Sequence, residues 1–304
     1  MRLGVFVPNV GSSTEPAALI RAARHAEELG FDSVWVADRL LYPVAPRNPY
    51  PASRDGKLPA YYQRVLDPLA TLAFLAAHTT RVRLGTCILD VPFYNPVVVG
   101  RTLTTVDVLS GGRLQVGCGQ GWSEDEFEAV GLPATGRGAR TTEFLQVLKA
   151  VWTEDPVEFH GRHFSVPRSV MGLKPVQKPH PPIFLAAFSD AALKRAATIA
   201  DGWMPARVAH AELESKLARC RELAAAAGRD PAAFHLQVVA IPEVTPAPLG
   251  GERAPFAGSL EQLRDDVART REVGAAALIF QIELGGEPDA VLAAMDRVRA
   301  LADR

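Results

Sequence analysis

The residues of this chain that could do chemistry fall in two short segments, and both read as places where backbone meets a ligand. Gly117-Cys118-Gly119-Gln120-Gly121 puts three glycines in five positions. It lacks the GxxxxGK[ST] pattern of a phosphate-cradling loop. Its glycines either let the backbone approach a ligand or make a tight turn. In Ala187–Arg195 (AFSDAALKR), Ser189 or Asp190 can cap a helix whose first N–H groups point to where a phosphate would bind. An ordinary helix start fits the same residues. His160 and His163 read as part of a hairpin turning at Gly161, not as a metal-binding helix face. There is no HExxH, CxxC or GxSxG pattern, so neither a metal hydrolase nor a serine hydrolase has an anchor. Redox chemistry in such a chain has to come from a cofactor.

These segments sit in a regular alternation. Strands are predicted at 3–8, 31–38, 81–89, 113–118, 183–188, 201–205, 234–241 and 275–280. Helices are predicted at 15–29, 66–78, 96–109, 137–152, 190–199, 210–227, 259–273 and 287–302. Eight strand–helix pairs imply parallel strands joined by crossover helices. At this length they favour a closed (β/α)8 TIM barrel, read as one domain over 1–304. An open nucleotide-binding sheet would need a glycine-rich first turn, and VPNVGSS (7–13) has a single glycine.

Composition agrees. About 300 residues bury roughly three quarters of their unfolded surface, enough to need no disulfide or metal. Three scattered cysteines, Cys87, Cys118 and Cys220, suit a reducing cytoplasm. A net charge of −1 gives no surplus for a nucleic acid, and no apolar run approaches a membrane span. Fifteen of the 24 prolines fall in 43–68, 167–182 and 242–255, which marks irregular insertions at about 40–65, 153–181 and 242–258. Four of the five tyrosines, Tyr42, Tyr50, Tyr61 and Tyr62, lie in or beside the first window. They make either an aromatic lid or a packed surface loop.

Barrel sites lie at the C-terminal strand ends. Those ends carry Trp35, Asp38 and Arg39, then Cys87 to Asp90, then Gly117–Trp122, then Trp203. Three tryptophans near one mouth suggest a pocket for a flat ring system.

FDSVWVAD, RLGTCILDVPFYNPVVVGRTLTTVDVLSGGRLQVGCGQGWSEDEFEAVG and PPIFLAAFSDAALKRAATIADGWMP resemble the bacterial luciferase-like monooxygenase superfamily, nearest its coenzyme F420-dependent (deazaflavin) branch. The resemblance runs from residue 3 to about 205. It implies a flavin or deazaflavin ring on a bulge after the third strand, at Cys87–Ile88, where relatives often carry a non-proline cis peptide. It places Asp38, Asn95, Gly117, Gly119, Gln120, Gly121 and Trp122 near the ring or its side chain. The turn Ala186, Ala187, Phe188, Ser189 corresponds to the family's phosphate turn. A homodimer and a separate flavin or F420 reductase are expected partners.

Three departures matter. Arg39 stands where relatives usually have His, Gln120 where sugar-phosphate dehydrogenases have Glu, and Ala186-Ala187 where Gly-Gly is usual. Arg keeps its proton and Gln cannot titrate, so the familiar acid and base are gone. Arg39 is expected either to bind an anionic or developing oxyanionic group, or to pair with Asp38 or Asp90. Asp90 orients substrate, relays a proton or forms a rim ion pair, and Tyr94 is a further donor. The expected function is hydride transfer between reduced F420 and a small organic substrate. The alternatives are an FMN-dependent two-component monooxygenase using FMNH2 and O2, and a non-catalytic flavin-binding protein.

Overall fold

The computed structural model describes residues 1–53, 55–282 and 284–302. In chain order the elements are β1 (Arg2–Phe6), α1 (Pro16–Glu28), β2 (Ser33–Val36), α2 (Pro68–His78), β3 (Arg83–Asp90), α3 (Pro96–Leu109), β4 (Leu114–Gly119) and α4 (Glu124–Ala129). Next come α5 (Arg137–Thr153), β5 (Val157–His160), β6 (Ser165–Ser169), β7 (Ile183–Leu185), α6 (Asp190–Ile199), β8 (Gly202–Trp203) and α7 (His210–Ala226). The chain ends in β9 (His235–Ala240), β10 (Glu243–Val244), β11 (Ala257–Gly258), α8 (Leu260–Glu272), β12 (Ala277–Phe280) and α9 (Pro288–Leu301).

Eight strands close a parallel barrel in the order β1-β12-β9-β8-β7-β4-β3-β2, with β2 pairing back to β1. These are the eight predicted strands, and a helix follows each one. The hairpin predicted around Gly161 is the antiparallel β5–β6 pair. Among the described residues, α4 and the short two-stranded β10–β11 sheet have no counterpart in the sequence reading.

Side-chain alternation divides the core into two layers. Phe6, Trp35, Phe184, Met204, Val239 and Ile279 pack together inside the barrel. Val5, Val34, Leu84, Val116, Leu185, Trp203 and Leu278 pack outward with the helices. Trp35 is fully buried, its indole N–H donating to Ser33 Oγ at 2.8 Å. A Cβ at Gly85 would lie 2.2 Å from the Trp35 ring, so the glycine makes room for the indole. Asn9, also fully buried, ties the end of β1 to that of β2: its Nδ2 donates to Ala37 O (2.7 Å) and its Oδ1 accepts from Ala37 N (2.9 Å).

Parity corrects the three-tryptophan pocket. Trp35 fills the barrel centre. Trp203 points outward and donates its indole N–H to Ala187 O at 2.8 Å, because its neighbours Gly202 and Met204 take the inward positions. Trp122 alone of the three stands at the mouth.

Candidate active site at the barrel mouth

β2 runs out into Ala37, Asp38 and Arg39, and β3 ends at Asp90 beside it. The two carboxylates are linked through backbone and a phenol. Asp38 Oδ2 accepts from Asp90 N (3.2 Å) and from Tyr94 Oη (3.0 Å). Asp90 Oδ1 accepts from Gly121 N (3.1 Å). Burial pushes the Asp38 carboxyl up to about 6, against the pull of those two hydrogen bonds. Burial and then the Asp38 charge push Asp90 up to about 7, with Arg39 pulling the other way. The Tyr94 phenol is raised far out of range by burial and by Asp38, so it acts only as a donor. The resemblance placed Asp38 beside a cofactor ring; here its carboxylate is engaged by Tyr94 and Asp90.

Arg39 does not pair with Asp38 or Asp90. Its partner is Glu126, with Nη1 2.8 Å from Oε2 and side chains 5% and 0% exposed. Glu126 Oε1 accepts from Leu40 N (2.8 Å) and Leu41 N (3.3 Å). The guanidinium lies between two rings, 4.9 Å from the Trp122 centroid and 5.5 Å from that of Tyr62. Its Nε is buried without a hydrogen-bond partner. The sequence reading missed Glu126. The signal was Ser123-x-x-Glu126, a capping-box spacing. Ser123 does accept from Glu126 N (3.4 Å), but the Glu126 carboxylate turns to Arg39 and the chain after it.

The proline-rich segment after Arg39 folds over this site. Tyr42, Tyr50, Tyr61 and Trp122 pack against the inner cluster, in which Tyr62 is buried. Tyr50 lies 5.4 Å from Trp122 and 6.0 Å from Tyr62, centroid to centroid. The tyrosines thus pack onto the mouth beside Trp122. The outer edge of this segment is held by the acids of α4. Arg47 pairs with Asp125 (3.6 Å) and with Glu128, while Asn48 and Glu124 exchange two hydrogen bonds of 3.1 and 2.8 Å.

The peptide between Cys87 and Ile88 is cis, as the resemblance implies. Both side chains are half-buried against the inner cluster, and burial holds the Cys87 thiol up and protonated. The glycines of the 117–121 loop are closely packed by protein atoms. A Cβ at Gly117 would meet Thr86 O at 2.2 Å and Met204 Sδ at 3.0 Å; one at Gly119 would meet Asp90 Oδ1 at 2.6 Å and Ile88 Cγ2 at 2.7 Å. Gly121 has φ +67°, a turn conformation suited to glycine. Gln120 faces Arg195 of α6, at 3.5 Å. Asn95 is exposed and caps α3, its Oδ1 accepting from Val97 N and Val98 N.

Across the mouth, Ser189 rather than Asp190 caps α6, accepting from Ala192 N (3.4 Å). Ala187 is buried, whereas Phe188 and Ser189 are exposed, so the turn opens outward. A first helical turn has N–H groups without intrahelical acceptors, and Ser189 takes one of them.

Comparison with known proteins fits this geometry. Over 293 residues, 95% of this chain and 93% of the relative, the sequence is 32% identical to an uncharacterized protein of Mycobacterium tuberculosis. It is 31% identical to an F420-dependent glucose-6-phosphate dehydrogenase of Amycolatopsis mediterranei over 193 residues, 62% of this chain and 53% of that one. It is 35% identical to an FMNH2-dependent dimethylsulfone monooxygenase of Pseudomonas putida over 130 residues, 42% of this chain and 36% of that one. The model of the luciferase-like monooxygenase family matches residues 1–303, and with the closed barrel in place, the chain belongs to that family.

Proposed function

We propose that the protein is an oxidoreductase that transfers a hydride between reduced coenzyme F420 and a small organic electrophile such as an enone or imine. The observation that carries this reading is the half-buried carboxyl pair of Asp38 and Asp90 at the mouth, joined through the Asp90 N–H to Asp38. Hydride addition to an unsaturated bond leaves an anion that must be protonated. The Asp90 carboxyl, raised to about 7, still holds its proton in a substantial fraction of molecules near neutral pH, while Asp38, at about 6, is mostly ionised there. The F420-dependent relative supports the choice of cofactor.

The residues fit a ring with a phosphate-bearing side chain. Cys87 and Ile88 make an apolar, half-buried shelf at the end of β3. The outward turn Ala186–Ser189 follows β7, two strands along in the barrel order, about 10 Å by ordinary strand spacing. The cofactor, when bound, supplies the hydride. Ile88 and Cys87 support the ring, and the first-turn amides of α6 hold the phosphate. Asp90 delivers the proton, its carboxyl oriented by Gly121 N–H. Tyr94 holds Asp38, which in turn fixes the Asp90 backbone. Arg39 orients the substrate and offsets charge that develops on it. The tyrosine lid excludes water from the closed site.

A second reading, an FMN-dependent monooxygenase fed by a separate reductase, is favoured by the identity to the dimethylsulfone enzyme. One experiment separates them: titration of the purified protein with F420 and with FMN, followed by turnover assays with each reduced cofactor. The first reading expects tighter F420 binding and oxygen-independent substrate reduction. Selective FMN binding with substrate-coupled oxygen uptake overturns it.

A further inference from the structure

We propose that Arg39 is a carboxylate anchor and that the substrate carries a carboxylate on a flat, apolar body. This deepens the hydride-transfer reading and rests on it for the reaction, though not for the binding. The argument begins with what Glu126 leaves over. One of its oxygens is taken by Leu40 N and Leu41 N, and the other by Arg39 Nη1. Glu126 is therefore satisfied, while the guanidinium is engaged at one corner. Its Nε is buried with no partner. No partner for Nη2 occurs among the described residues. A buried donor without an acceptor is costly, and at the strand-end mouth it is the observation that points to a ligand.

The open edge of a guanidinium, Nε with Nη2, takes a carboxylate side-on through two parallel bonds. The rings of Trp122 and Tyr62 flank the cation, and Tyr50 lies against both. They offer flat apolar walls to whatever the carboxylate carries. Of the acids nearby, Glu126 is already paired with Arg39. Burial raises Asp90 to about 7, so it is only partly charged at pH 7, while Asp38, raised to about 6, stays mostly ionised and works against an anion. The cofactor's phosphate is not the occupant: its turn follows β7, separated from β2 by β3 and β4. Access requires the lid to lift, and the exposed pairs at Arg47 and Asn48 that hold it down are of a weak kind.

The test uses the protein without cofactor, titrated with sodium benzoate and with benzamide, its neutral isostere, at pH 7. Binding is read by calorimetry and by Trp122 emission, with Trp122→Phe identifying the signal. Benzoate is expected to bind at least tenfold more tightly than benzamide, and Arg39→Lys to lose most of that preference. Arg39→Gln alone strands Glu126 in the interior. The double variant Arg39→Gln/Glu126→Gln removes both charges together and is expected to bind the two probes equally. Equal affinities in the wild-type protein, no benzoate binding, or a preference kept by the double variant overturns the anchor. A protein that binds F420 but shows no preference loses the anchor and keeps the reaction. One that prefers benzoate through Arg39 but binds neither F420 nor FMN loses the reaction and keeps the anchor.

Discussion

Arg39 and Glu126, 87 residues apart in sequence, meet at 2.8 Å as a buried ion pair, and through them the end of β2 is bound to α4. The pair anchors the inner root of the lid, since Glu126 also takes the N–H groups of the two residues that follow Arg39. Breaking a buried pair from one side leaves an uncompensated charge. Glu126→Ala is expected to lower unfolding stability by about 3–5 kcal/mol, measured by urea denaturation. A loss below about 1 kcal/mol would show that the pair is solvated and not structural.

Asp90 is the proposed proton donor, with a carboxyl pushed up to about 7. A general acid works only while protonated. Turnover is therefore expected to fall as pH rises through about 7, provided chemistry limits the rate. Asp90→Asn should lower kcat by about 10²-fold or more and remove that alkaline limb. A pH profile with an unchanged limb in Asp90→Asn would assign the proton to another group.

The same shift has a sign in stability. Asp90 binds its proton more tightly folded than unfolded, so its contribution is full below the ordinary carboxyl range, about 4. It is lost as pH rises through about 7. Asp38 acts in the same direction, up to about 6. The wild-type melting temperature should therefore carry a downward component between pH 4 and pH 7 that Asp90→Asn reduces. A variant with the same slope as wild type across that window would contradict the burial of this carboxyl.

Gly119 lets Ile88 and Asp90 pack against β4, since a Cβ there would come within 2.7 Å of both side chains. Gly119→Ala must displace one or the other. It is expected to cost about 1–3 kcal/mol in stability and to move the pH limb assigned to Asp90. Preserved stability and an unmoved limb would mean that both neighbours give way freely.

Arg47 is half-exposed and joins the lid to Asp125 and Glu128. Surface pairs of this sort contribute about 0–1 kcal/mol, so Arg47→Ala should leave global stability nearly unchanged. Its effect should appear in kinetics, as faster cofactor association by stopped-flow fluorescence. Unchanged association rates would show that lid opening does not limit entry.

The barrel was legible because its signals are local. Short apolar runs alternate with helical stretches eight times, and each can be read within about 15 residues. The cis peptide at Cys87–Ile88 and the turn ending in Ser189 were legible through motif resemblance. Several site features were not. Trp35 and Trp203 read as mouth residues, because one-residue parity decides whether a strand side chain faces barrel, helix or mouth, and parity depends on how the sheet closes. The loop glycines read as backbone approach to a ligand or as a tight turn, and their close packing against Thr86, Met204, Ile88 and Asp90 was in neither reading. Arg39 was read either as binding an anionic group or as pairing with Asp38 or Asp90, the nearest acids on the strand ends. Instead α4, a six-residue helix too short to show a period, carries Glu126 to it. The order of strands and helices follows from short-range pattern alone. Which acid meets which base, and which donor is left open, depends on contacts between residues far apart in sequence, and only the closed barrel brings those together.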